Sequence, residues 1–292
     1  MNRIKGILYA AVSSSTFGLA PFFSITLLLA GFSAFEVLSY RWGGASIVLI
    51  VFGWLSGCNF RLAGKDWGVV FLLSLLRAVT SFSLIIAYQN IASGVASTIH
   101  FMYPLAVALA MMFFFREKKS LLVILAVLMS LLGAALLSLG ELEAKSGNTM
   151  VGLVAACVSV FSYAGYIVGV RTTRAVQINS TALTCYVMGL GTIFYLIGAY
   201  CTSGLQLVSD GYTWLIILGL ALPATAISNI TLVQAIKYAG PTLTSILGAM
   251  EPLTAVVIGV FVFKELFTVN SAVGIILILL AVSIVVFRRQ KS

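Results

Sequence analysis

Arg77, His100 and Glu251 are the ionisable residues set deepest within long apolar stretches of this chain. A charge at the centre of a membrane helix costs roughly 2.5–3.5 kcal/mol on insertion scales, so such groups face a partner or a water-filled path. Arg77 offers a permanent cation that can hold a carboxylate, and Glu251 a carboxylate that can carry a proton. His100 offers an imidazole, the side chain suited to proton exchange near neutral pH. Arg77 and Glu251 both fall about eleven residues from the same end of their apolar stretches, near 16 Å of depth at 1.5 Å per residue. An ion pair between them, contact with a substrate carboxylate, and proton work all fit that depth. His100 lies one helical turn before Pro104, so the two share a face. An interhelical hydrogen bond and a proton relay both suit it. Pro104 and Pro252 each remove an intrahelical hydrogen bond and are hinge candidates as well as static kinks. Phe17, Tyr88, Tyr103 and Tyr163 are aromatic candidates for a pathway lining, though aromatics also pack and form interfacial belts. Arg41 sits about 10 Å deep near the end of its helix beside Glu36, and a side chain that long can snorkel to the interface, a structural role. The Arg116–Glu117–Lys118–Lys119 and Lys264–Glu265 clusters read as interfacial anchors. Pro21, Pro223 and Pro241 carry no chemistry of their own.

The elements that must hold these groups are membrane helices. Of 292 residues, 61% are hydrophobic and 9% charged, and mean hydropathy is +1.12. Soluble domains carry about 25% charged residues, so the bilayer is this chain's solvent. Windows of about 19 residues place helices over 6–30, 34–57, 67–88, 93–115, 120–140, 149–170, 180–203, 212–236, 240–263 and 269–287. The expected fold is all-α and integral to the membrane, with ten spans. Arg3 and Lys5 precede an apolar run that continues without a small-residue cleavage site, so the first span is expected to be retained. The cysteines Cys58, Cys157, Cys185 and Cys201 form no CxxC pair, and His100 is the single histidine. No metal or cofactor is expected.

With ten spans, Arg3, Lys5, Arg61, Lys65, Arg116, Lys118, Lys119, Arg171, Arg174, Lys237, Arg288, Arg289 and Lys291 fall on one face, and Lys145 and Lys264 on the other. The positive-inside rule then puts both termini in the cytoplasm, in the cytoplasmic membrane. The net charge of +9 follows from that topology and favours anionic lipid; it gives no reason to invoke nucleic acid. An offset of 148 residues aligns 87–132 with 235–280 without a gap, matching Ala87/Ala235, Ser97/Ser245, Met102/Met250, Pro104/Pro252 and Glu117/Glu265. The chain therefore divides into a first repeat over 1–142, a linker over 143–148 and a second repeat over 149–292. Five helices per half is an odd number, so the halves enter the membrane from opposite sides. Inverted repeats are a recurring design of secondary transporters, because two similar halves can exchange conformations around one central site.

A proline in the fourth helix of each half, an apolar run and a basic–Glu pair before the fifth helix resemble the EamA family of the drug/metabolite transporter superfamily. The copies here read YPLAVALAMMFFFREKKS (Tyr103–Ser120) and EPLTAVVIGVFVFKELFT (Glu251–Thr268), followed by Gly133 and Gly274. STFGLAPFF (Ser15–Phe23) and Arg41 also sit where that family has similar features. The resemblance covers essentially the whole chain and implies a ten-helix transporter with a cavity between its halves, often an exporter of amino acids or related metabolites. One departure is Thr16–Phe17–Gly18, where many members have Trp–Gly.

The expected function is secondary active export of a small metabolite by alternating access, with a proton gradient as the natural energy source in the absence of a Walker A pattern. Expected partners are lipid, the small-molecule substrate and protons, and a monomer suffices. A membrane-embedded enzyme is the alternative, but no GxSxG or HExxH supplies its chemistry. A channel would need a selectivity ring that one chain does not display.

Overall fold

Backbone amides inside a bilayer must be satisfied within the segment, and the computed structural model meets that demand with helices. It describes all residues except 1, 92, 118–120, 139–146, 203, 262–267 and 289–292. Most of the expected 143–148 linker therefore lies outside the described residues, as do Lys118, Lys119, Lys145, Lys264, Glu265, Arg289 and Lys291. The α-helices are α1 (Asn2–Phe17), α2 (Ala20–Leu29), α3 (Ala34–Leu55), α4 (Trp67–Asn90), α5 (Ser93–His100), α6 (Tyr103–Phe113) and α7 (Leu121–Ser138). They continue with α8 (Thr149–Thr172), α9 (Ser180–Cys201), α10 (Gly211–Ala221), α11 (Ser228–Ala239), α12 (Pro241–Leu247), α13 (Met250–Phe261) and α14 (Val269–Arg288). Seven helical rods among the described residues, from 19 to 29 residues long, are long and apolar enough to cross a membrane. The apolar stretches Leu121–Gly133 and Ala272–Ile284 are shorter.

The rods are not all continuous. Hydropathy predicts unbroken helices over 6–30, 93–115 and 240–263, but the structure interrupts them at Gly18–Leu19, Phe101–Met102 and Gly248–Ala249. Pro104 and Pro252 each lie in the first turn after a break, where a missing amide hydrogen costs nothing within the helix. Between α10 and α11 the chain widens into a π turn over Leu222–Ile227 with Pro223 as its second residue. The loops supply the caps that start the helices: Ser33 and Glu36 form a capping box on α3, and Asn148, Asn179 and Asp210 cap α8, α9 and α10.

The largest contacts pair α4 with α8, α1 with α11, α3 with α9 and α7 with α14. Small residues make the closest of these. A Cβ at Gly133 would lie 2.7 Å from the Gly274 carbonyl oxygen, and one at Gly6 would lie 2.8 Å from Ala239. Of the GxxxG spacings, Gly165 and Gly169 face Leu76 and Leu73 of α4, whereas Gly53 faces Phe60 of the loop after α3 and Gly57 turns that loop at φ +67°. Large apolar side chains such as Trp54, Phe114, Leu121, Phe161 and Tyr200 cover the outside. An exterior this apolar suits lipid, not water.

Candidate functional site

The breaks and the π turn converge on one polar cluster inside the bundle. Phe17 ends α1, His100 ends α5, Tyr103 begins α6 and Glu251 is the second residue of α13. Four of the groups singled out in the sequence thus sit where helices are interrupted. Irregular backbone at membrane depth is tolerated only where protein or a cavity surrounds it. Arg77 and Tyr88 come from α4, and Tyr163 from α8.

Arg77 is 1% exposed. Its Nε donates to Asn229 Oδ1 at 3.1 Å and its Nη1 to Ser81 Oγ at 3.4 Å. Its guanidinium lies 4.9 Å from the Tyr163 ring centre, 5.3 Å from that of Phe17 and 5.9 Å from that of Tyr166. Aromatic faces are negative, so this box solvates the cation where water cannot. The guanidinium thus hydrogen-bonds neutral groups, not Glu251. Glu251, half-buried, accepts from the Tyr103 hydroxyl at 3.4 Å.

Tyr103, Tyr163 and His100 pack as a triad, with Tyr103 and Tyr163 edge-on at 4.6 Å and His100 stacked on Tyr163 at 5.4 Å. His100 Nδ1 is 2.8 Å from Ser159 Oγ, and that hydroxyl donates to the Ala156 carbonyl at 2.6 Å. A hydroxyl has one proton to give, so Nδ1 carries the imidazole hydrogen and Nε2 presents a bare lone pair, with no partner among the described residues. This interhelical bond, α5 to α8, is one of the two roles the sequence left open for His100.

Arg41 differs from its expected position. It does not snorkel: it is 5% exposed, on the face of α3 that buries Val37, Leu38, Trp42, Ala45 and Leu49. Depth alone permitted snorkelling, but this face points into the bundle, where the chain cannot reach the interface. Arg41 Nε donates to Thr225 Oγ1 at 2.7 Å, and the guanidinium lies 5.4 Å from the Phe17 ring centre. Beside it is a cavity of about 20 Å³ walled by Phe17, Ala20, Pro21, Ser24, Arg41, Ser81, Leu84, Ile85 and Tyr88. Tyr88 and Phe17 therefore line it, and Arg77 does not.

Thr225, Asn229 and Tyr166 are the members of the cluster that the sequence does not mark, and Arg41 it marks only for a structural role and by the resemblance. Thr225 and Asn229 stand one turn apart just after Pro223, in and behind the π turn. A threonine and an asparagine following a mid-helix proline were the available signal, since π turns gather at functional sites. Glu36, expected at the end of α3, closes a loop contact: its carboxylate accepts from the Ser33 amide at 2.8 Å and the Gln206 amide at 2.6 Å, while the Tyr40 hydroxyl donates to the Gln206 carbonyl. Glu117 accepts from Thr242 Oγ1 at 2.6 Å.

Apolar rods around a buried cluster of two arginines, a histidine, a glutamate and several tyrosines define a multi-pass membrane protein with a polar interior. Comparison with known proteins narrows this class. The chain belongs to the EamA-like transporter family, whose profile matches residues 4–139 and again 150–287, and it is a membrane transporter on that ground. A protein of Archaeoglobus fulgidus named an uncharacterized transporter is 28% identical over 238 residues, covering 80% of this chain and 83% of its own. A protein of known crystal structure shares the fold at TM-score 0.79 and 17% identity, over 97% of this chain and 96% of that one.

Proposed function

We propose that this transporter is a secondary active exporter of a small metabolite, an amino acid or related compound, working by alternating access across the cytoplasmic membrane. In this reading the chain has ten spans in two inverted repeats, 1–142 and 149–292, joined by 143–148, with both termini cytoplasmic. The twofold family match supports it, and so does the packing. Exchanging the halves turns the α4–α8 contact into the α1–α11 contact, and returns α3–α9 and α7–α14 to themselves. Tyr103 and Glu251 occupy the same place in the 148-residue alignment, so their contact lies where a twofold axis between the halves would pass.

One observation carries the reading: the cations of the first half are tied to the second half at the protein's centre, Arg41 to Thr225 and Arg77 to Asn229. A site shared between halves is what alternate opening to each face requires. Arg77, walled off from the cavity, acts as a fixed cation that shapes the potential of the site. Glu251 is the proton carrier and His100 its candidate relay. Pro104 and Pro252, at the starts of α6 and α13, mark where the fourth and ninth spans bend. A single chain suffices, and lipid surrounds it.

Flux in proteoliposomes with and without a pH gradient tests this. Glu251→Gln is expected to insert and fold normally and to abolish gradient-driven flux. Unchanged flux in that variant removes Glu251 from the mechanism.

A further inference from the structure

Two guanidinium groups lie against one ring, Phe17, at 5.4 Å for Arg41 and 5.3 Å for Arg77. Arg77 has two hydrogen bonds and two further aromatic faces, Tyr163 and Tyr166. Arg41 is 5% exposed and makes one hydrogen bond among the described residues, to the neutral Thr225 hydroxyl. Its Nη2 is buried without a partner among those residues. A guanidinium keeps its proton in proteins, so titration cannot remove this charge. A counter-charge meets it, or it stays unpaired at high cost.

The protein's own carboxylates are engaged elsewhere. Glu251 accepts from Tyr103, Glu36 accepts from the Ser33 and Gln206 amides, and neither lines the cavity beside Arg41. The polar residues of that wall are Arg41, Ser24, Ser81 and Tyr88, and the rest of it is apolar. The Ser81 hydroxyl accepts from Arg77 Nη1 at 3.4 Å, which sets the second cation directly behind the wall, and the Tyr88 hydroxyl is 3.3 Å from Ser97 Oγ. The volume is about 20 Å³. One water needs about 10–15 Å³, and a halide ion is little larger than a water. A water here would leave two positive charges uncompensated, whereas a halide accepts from Nη2 and neutralises one of them.

We infer that this cavity binds a monatomic anion, a chloride ion held by Arg41 Nη2 beside Ser24, as the fixed counter-ion of the Arg41–Phe17–Arg77 stack. The ion belongs to the protein's interior and is not its cargo. Every wall residue comes from 1–142, on α1, α2, α3 and α4, and the site is too small for a metabolite. Its place is set by charge and size together: the two guanidinium groups demand an anion, and the volume admits only a single-atom one. The site stands whether or not the transport mechanism proposed above holds.

The test unfolds the full chain thermally in detergent and sodium gluconate, replaced stepwise at constant ionic strength by sodium chloride, bromide or methanesulfonate. Chloride and bromide are expected to raise the unfolding temperature saturably. Methanesulfonate, a monoanion too large for the cavity, is expected to leave it unchanged. In Arg41→Gln the halide affinity is expected to fall about tenfold or more, the size of a charged hydrogen bond. Crystals of the unaltered protein soaked in bromide locate the ion directly, with an anomalous peak expected within hydrogen-bonding distance of the Arg41 guanidinium. That measurement needs no variant, so a folding failure of Arg41→Gln leaves the test intact. No halide response, an equal response to methanesulfonate, an unchanged affinity in Arg41→Gln, or bromide only at exposed arginines and lysines each overturns the inference. Transport is read separately: halide binding without gradient-driven flux defeats the proposed mechanism alone, and flux without halide binding defeats the site alone.

Discussion

Gly248 gives the sharpest test of how the start of α6 meets the break between α12 and α13. It follows α12 at the break before α13, and a Cβ there would lie 1.8 Å from the Tyr103 hydroxyl, 3.0 Å from Tyr103 Cζ and 2.8 Å from the Ser245 carbonyl oxygen. Reaching an ordinary contact of 3.4 Å requires the hydroxyl to retreat by about 1.6 Å. Tyr103 has nowhere easy to go. It is 1% exposed and wedged among Tyr163, His100 and Phe101 at ring distances of 4.6, 5.5 and 5.7 Å. Its bond to Glu251, already 3.4 Å long, cannot survive such a shift. Overpacking of this kind costs about 1–3 kcal/mol, and the lost hydrogen bond adds about 1 kcal/mol.

Gly248→Ala is therefore expected to lower the free energy of unfolding by about 2–4 kcal/mol, the sum of those two effects. The assay is reversible unfolding in mixed micelles by a denaturing detergent. The decisive arm is the double variant. In a Tyr103→Phe background the clashing hydroxyl is gone and the alanine meets only ring carbon and the Ser245 carbonyl oxygen, so the penalty should shrink by about 1 kcal/mol or more, a coupling typical of residues in contact. Strict additivity, or a Gly248→Ala protein as stable as the original, would refute the close approach of Gly248 to Tyr103 and with it the geometry at the centre of the site.

Other outcomes follow from the same contacts. Gly133→Ala places a Cβ 2.7 Å from the Gly274 carbonyl and from Ile278 Cγ1, so α7 and α14 must separate; a loss of about 1–3 kcal/mol in the same unfolding assay is expected. Glu36→Gln keeps the size of the side chain but leaves it one oxygen for two amides, so the Gln206 amide should exchange its hydrogen measurably faster. Asp210, outside the membrane rods, has its carboxyl held below the usual carboxylate range by hydrogen bonds from the Thr213 backbone amide and hydroxyl. A depressed folded value means that its capping of α10 is complete above the unfolded value and disappears as pH falls through the folded one; the Thr213 amide resonance should report that transition, and Asp210→Ala should abolish it.

The helical membrane fold was legible because hydropathy records it directly, since roughly twenty apolar residues have few alternatives to a helix in lipid. The breaks were not, because a 19-residue window averages across Gly18, Met102 and Gly248. A proline follows each of the three, Pro21, Pro104 and Pro252, in the first turn of the helix beyond the break, though the sequence offers only the last two as hinge candidates. The convergence of Arg77, His100, Tyr103, Tyr163 and Glu251 was foreseeable in kind: polar groups too costly to place in lipid have only one another and the helix breaks to turn to. Arg41 escaped because depth was judged without facing. Its neighbours Leu38, Trp42 and Ala45 look the same in composition whether they meet lipid or protein, and only packing against α9 and the π turn decides. Thr225 and Asn229 are neutral and cheap in a membrane helix, so only their place after Pro223 sets them apart from the many serines and threonines that bond their own backbone, as Thr80 does to Leu76.

The π turn explains how neutral residues come to hold two charges. Thr225 Oγ1 donates to the Leu220 carbonyl five residues back at 2.7 Å, and having given its one proton it accepts from Arg41. Asn229 Nδ2 donates to the Thr225 carbonyl at 2.8 Å, which fixes its amide with Oδ1 toward Arg77. Each polar group is thus oriented by a backbone carbonyl of the same turn before it meets a guanidinium. Both arginines therefore answer to a single segment, Leu220–Asn229. A shift of that segment must carry Arg41 and Arg77 with it or break both bonds, and Arg41 in turn forms a wall of the cavity. The wide turn is where the α10–α11 rod departs from the regular helical ladder, so the irregular element of that rod is the one to which both cations are attached.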